Sequence, residues 1–114
     1  VHQASTCWRS KRLTSTGYAK TIAEGLATAS AYELPFSILR DRIDDIVLVS
    51  DDEMIGAIKL LVELEGVIAE PAGAAALAAA LKIKGRLQGR RVVVMVTGGN
   101  VDPETLASWL ASRE

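Results

Sequence analysis

The sequence predicts an α/β fold, part of a three-layer αβα arrangement with a few parallel strands. Three observations carry that expectation. Ile46–Val49 and Val92–Val96 are short, continuous apolar runs rich in β-branched residues, which read as strands buried on both faces. Segments with helical spacing and recognisable ends alternate with them. The chain is 49% hydrophobic with only 4% aromatic residues, and alanine and valine are abundant, as suits helices packed closely on a sheet.

The first twenty residues are polar and mixed, with Trp8 and Leu13 as apolar anchors; a short helix is expected around Gln3 to Lys11, then a loop through Thr14, Ser15, Thr16 and Gly17. Residues 21–27 interrupt with small side chains around Gly25, which marks either a close backbone approach or a turn. A helix is expected from about Pro35 to about Arg42. After the first predicted strand, Ser50 and Glu53 have the spacing of a capping box, in which each side chain bonds the other residue's amide. Met54, Ile58, Leu61 and Leu64 then recur at helical spacing as far as Glu65, and Gly66 ends that helix. Pro71 opens a further helix to about Lys84 whose surface is alanine nearly all round, the pattern of a helix covered on every side. Gly85 to Gly89 is expected to turn the chain into the second strand. That strand ends at Thr97-Gly98-Gly99-Asn100, and Asp102 and Pro103 start a last helix. Two or three strands are few for a sheet covered on two faces, and the chain begins at Val1; both suggest that part of the fold lies upstream.

Charge and composition exclude several classes. The formal net charge is −1 and the signs are mixed, so Lys11-Arg12 and Arg90-Arg91 read as solvated surface, and no nucleic-acid partner is expected. The longest apolar run, Pro71 to Leu81, is shorter than the ~18–20 residues of a membrane span, so no membrane partner is expected and the cytoplasm is the default location. A lone cysteine, Cys7, permits neither an internal disulfide nor a cysteine metal cluster, and His2 has no second histidine to pair with as a ligand.

Two segments have residues suited to a site. Thr97-Gly98-Gly99-Asn100 lies where a strand gives way to a helix, the usual ligand-binding edge of an open α/β sheet. It lacks G-x-G-x-x-G and a following lysine, and Asp102 and Glu104 already occupy the helix start, so a phosphate cradle does not fit. The segment reads as a turn offering the Thr97 hydroxyl or as a plain glycine turn. Glu70 stands at a helix start, where it is either a capping carboxylate or part of a site; Gly73 inside that helix suits a close backbone approach. The paired acids Asp44-Asp45 and Asp51-Asp52 read as turn and cap residues rather than metal ligands.

In sequence order, residues 21–27, 44–53, 70–77 and 97–102 resemble the corresponding motifs of threonine dehydratases. These are pyridoxal-phosphate (PLP) enzymes of fold-type II, the tryptophan synthase β-like fold, related to serine dehydratase, serine racemase and threonine synthase. The resemblance runs from about Trp8 to the C-terminus. It implies that Thr97 bonds the pyridine nitrogen of PLP, that Gly98 follows it in the glycine turn, that Glu70 lies near the ring, and that Gly25 is where backbone passes beside it. Glu24 stands where many relatives have aspartate. An acid expected near Thr6 is absent, so no metal is expected. No catalytic residue is assigned, because the family's Ser-x-Lys-x-Arg type lysine and its phosphate-binding glycine run have no counterpart here. The resemblance therefore implies one C-terminal segment, 1–114, of a PLP-dependent dehydratase fold that removes an α-proton, eliminates water and deaminates its substrate. This segment would line the PLP ring and be inactive alone. Its partners would be the N-terminal part of the enzyme and a second copy of itself. The alternative is a non-catalytic binding or dimerisation module derived from the same fold.

Overall fold

The computed structural model describes residues 2–13, 15, 17 and 19–112, apart from the side chains of residues 2–4. Thr14 and Thr16 of the expected loop, and Val1, lie outside the described residues. The chain divides into two compact units, one ending at Leu48 and the other running from Val49.

In the first unit, α1 (His2–Ser10) packs against α2 (Glu33–Leu39). Ser5, Cys7 and Ala23 are buried there among the described residues, and Cys7 is a free thiol. After α1 the chain turns at Lys11, whose backbone takes the left-handed conformation (φ 56°). The Lys11 ammonium lies 4.9 Å from the Trp8 ring centroid and donates to the Arg40 carbonyl at 3.0 Å. An antiparallel bridge joins Ser15 to Ser30, and a 3-10 turn spans Glu24–Leu26. The helix expected from Pro35 begins two residues earlier, because proline fits within a first helical turn as well as at its opening.

The second unit is built on α3 (Asp51–Glu65) and α4 (Pro71–Lys82) packed together, with α5 (Lys84–Leu87) continuing α4 and α6 (Pro103–Ala111) lying against α3. The ends follow from local chemistry. Ser50 Oγ accepts from the Glu53 amide at 3.1 Å while Glu53 Oε2 accepts from the Ser50 amide at 2.7 Å, so the expected capping box is formed. Gly66 ends α3 at φ 64°, which a side chain would resist. Asp102 Oδ2 accepts from the Thr105 amide at 2.9 Å, and Pro103 stands in the first turn of α6. Helices α3 and α4 pack together; α3 buries Met54, Ala57, Ile58 and Leu61, and α4 buries the small residues Ala74 and Ala78 along with Pro71.

Three expectations need correction. Among the described residues neither 46–49 nor 92–96 joins a β-ladder. A strand exists through backbone pairing with a neighbour about 4.8 Å away, and β-branched residues supply the propensity but not the neighbour. Residues 92–96 are also not buried: Val93 is 88% and Met95 67% exposed. Helix α4 is not covered on every side: it packs on α3 and, at its start, on Gly98, but leaves Ala76 and Leu81 exposed. The turn expected over residues 85–89 begins later, because residues 84–87 form the single helical turn α5; it falls at residues 87–90, where the Arg90 amide donates to the Leu87 carbonyl at 3.0 Å and Gly89 takes φ 74°.

Candidate functional site

The site forms where residues 98–100 meet the start of α4. Glu70 is extended (φ −75°, ψ 162°), which brings the chain into α4 with Pro71 in its first turn. In that conformation the Glu70 amide donates to the Gly98 carbonyl at 3.0 Å. The Glu70 carboxylate does not cap its own helix. It accepts instead from the Asn100 amide, with Oε2 at 3.0 Å. Main chain and side chain of one residue thus hold both sides of the Gly98–Asn100 turn, and Val101 N–H donates to the Gly99 carbonyl at 3.0 Å to close it.

Three glycines make this contact possible. A Cβ on Gly98 would lie 2.8–3.0 Å from the Glu70 carboxylate atoms, inside contact distance. A Cβ on Gly73, one turn into α4, would lie 2.5 Å from the Gly98 carbonyl oxygen. A Cβ on Gly99 would lie 2.8 Å from the Ile68 carbonyl oxygen. The close approach anticipated at Gly73 is therefore to the backbone of Gly98. The turn lies flat against residues 68–73 because no side chain intervenes.

Thr97 precedes the turn, is exposed, and its hydroxyl makes no hydrogen bond among the described residues. Thr97, Gly98 and Glu70 are thus brought into one cluster. Gly25 belongs to the first unit, where it is exposed within the turn Glu24–Leu26. Ile68 was not anticipated from sequence, and Asn100, although within the candidate segment, was given no role there. Asn100 acts through its amide and Ile68 through its carbonyl, so neither residue type announced them. At the next helix the Asp102 carboxyl is held below the ordinary aspartate range, chiefly by the Thr105 amide and then by the Thr105 hydroxyl. A charged cap thus occupies the start of α6. Among the described residues no group of three His, Cys, Asp or Glu side chains is placed to hold a metal ion, and no helix is long and apolar enough to cross a membrane.

A glycine turn held against a helix start, with a free hydroxyl beside it, is suited to the edge of a flat ligand, and comparison with known proteins names the class. The chain belongs to the family described as pyridoxal-phosphate dependent enzyme, whose profile matches residues 1–98. It is 38% identical over 92 residues to serine racemase of Schizosaccharomyces pombe, covering 81% of this chain and 28% of that protein. It is 36% identical over 104 residues to the catabolic L-threonine dehydratase of Escherichia coli K12, covering 90% of this chain and 32% of that one. Among solved structures, maize serine racemase superposes with a TM-score of 0.83 at 32% identity, over 95% of this chain and 34% of that chain. The processed form of threonine deaminase isoform 2 from Solanum lycopersicum gives 0.86 at 27%, over 97% and 34%. The fold is thus a portion of the fold-type II PLP architecture, as the motif order implied, and the cofactor of the family is PLP. The chain spans about a third of the length of these relatives.

Proposed function

We propose that this chain is the C-terminal segment of a PLP-dependent enzyme acting on a β-hydroxy amino acid such as threonine or serine, and that it lines one side of the cofactor ring. The observation that carries this reading is the clasped turn: an exposed Thr97 hydroxyl stands beside a glycine turn fixed by Glu70. Those residues fit the group. A hydroxyl is the neutral hydrogen-bonding partner suited to a largely unprotonated pyridine nitrogen, and a side-chain-free turn leaves room for a flat ring. When bound, PLP supplies the electron sink that makes the α-proton of an amino acid removable. The residues of the second unit orient that ring: Thr97 through its hydroxyl and Gly98 through its bare backbone. The whole enzyme's reaction is α-proton removal and loss of water, then deamination to a 2-oxo acid.

None of the five lysines stands in a Ser-x-Lys-x-Arg type segment, which supports the view that the chain does not anchor the cofactor covalently, and three of them are engaged elsewhere. Lys11 is engaged with Arg40 and Trp8, Lys59 with the Ser112 carbonyl, and Lys82 with Glu53. The test is to add PLP to the purified chain, record the absorbance of bound cofactor, and assay ammonia release from threonine and serine. No band and no ammonia are expected; a stoichiometric band with turnover would overturn the reading of a segment that needs its counterpart. The exposed Val92, Val93, Met95 and Val96 favour a second role for the same segment, self-association through an unpaired extended edge.

A further inference from the structure

We infer that Glu70 is a positioning residue, which sets the direction of the Thr97 hydroxyl by clasping the turn that follows it. The inference deepens the proposed reading and rests on it for what Thr97 faces, but the clasp itself is a matter of geometry. Glutamate is not among the side chains that favour capping the helix they start, so the Glu70 carboxylate is free to reach another acceptor-seeking amide. Here it makes no capping bond and crosses thirty residues of sequence to accept from the Asn100 amide at 3.0 Å. Its own amide donates to the Gly98 carbonyl at 3.0 Å. Thr97 is the residue immediately before this doubly held pair, so its backbone enters the turn at a direction that the clasp determines. The glycines show how little slack exists: Gly98 fits only because it has no Cβ to meet the Glu70 carboxylate, and Gly73 only because it has none to meet Gly98. Glu70 touches the turn, not the proposed ring contact, and acts through Thr97.

The experiment reads amide hydrogen exchange by NMR on this chain. In Glu70→Ala the Asn100 amide loses a charged acceptor, and its exchange should accelerate roughly tenfold or more. Amides of Ile58 and Leu61 in α3 should keep wild-type rates. Glu70→Gln retains an acceptor oxygen at the same reach and should restore much of the protection. Gly98→Ala leaves Glu70 in place but displaces its carboxylate, and should also speed exchange at Asn100. Unchanged exchange at Asn100 in Glu70→Ala, an equal rise throughout α3, or Gln no better than Ala would each overturn the clasp. The action through Thr97 is read in the full-length protein that carries these residues, by PLP affinity and the absorbance of bound PLP. Glu70→Ala and Thr97→Val should each weaken affinity and shift the band, and the double variant should do no more than Thr97→Val alone. Additive losses would overturn the positioning role. A full-length Thr97→Val with unchanged affinity and spectrum would instead overturn the cofactor reading, while the exchange data still decide whether Glu70 holds the turn.

Discussion

Gly73 and Gly56 are both helical glycines, and their surroundings give the same substitution opposite signs. Alanine normally stabilises a helix interior over glycine by about 0.5–1 kcal/mol. Nothing lies within 4 Å of a Cβ built on Gly56, so Gly56→Ala should gain roughly that amount. On Gly73 the same methyl meets the Gly98 carbonyl oxygen at 2.5 Å, and Gly73→Ala should cost about 1–3 kcal/mol and loosen the turn. Urea denaturation of the two variants checks both; a stabilised Gly73→Ala would mean that α4 and the turn do not pack this tightly. At this scale the sequence singled out the candidate residues but not how they meet. Thr97, Gly98, Glu70 and Gly73 each stood out by type and place. The bond from the Asn100 amide to Glu70 did not, since it joins groups thirty positions apart through a backbone atom without a signature.

Helix ends were legible because their chemistry is local. The Ser50–Glu53 box, Gly66, Pro71 and the Asp102 cap each act within a few residues, and all are formed. The two strands were not, because pairing needs a partner segment, which no local pattern contains. The caps lead to two predictions. Ser50→Ala should destabilise α3 by about 1 kcal/mol, measured by thermal unfolding, since the Glu53 amide loses its acceptor. The second concerns pH. Glu53 is held below the ordinary glutamate range, first by the Ser50 amide and then by the Lys82 ammonium, and Asp102 is held below the aspartate range by Thr105. Folding thus favours both charged forms. Their contribution is present above the unfolded-state pKa and is lost as the pH falls through the lower folded-state value. Tm should therefore fall on acidification from about pH 7 to about pH 3, and Glu53→Gln or Asp102→Asn should flatten that fall. An acid limb as steep in both variants as in the wild type would contradict it.

Residues 92–96 of the second unit join no helix or β-ladder, and Val93 and Met95 expose most of their surface. Apolar side chains on an unpaired edge favour pairing with another chain. The purified chain should therefore self-associate at high concentration in sedimentation experiments, and Val93→Lys should shift it towards monomer with Tm changed little, since its side chain packs on little else. A wild-type chain that stays monomeric would count against both the docking edge and the view that a counterpart covers it.

The division into two units has an optical consequence. The chain has two tryptophans, and one falls in each unit, Trp8 on α1 and Trp109 on α6. With the other replaced by phenylalanine, each becomes a private emission probe for its own unit. Among the described residues the first unit buries Ser5, Cys7 and Ala23, whereas the second buries a Met54–Ile58–Leu61 ridge against α4. On heating, the Trp8 signal should change first and Trp109 later, so the molecule carries within its own sequence a two-channel record of how it comes apart.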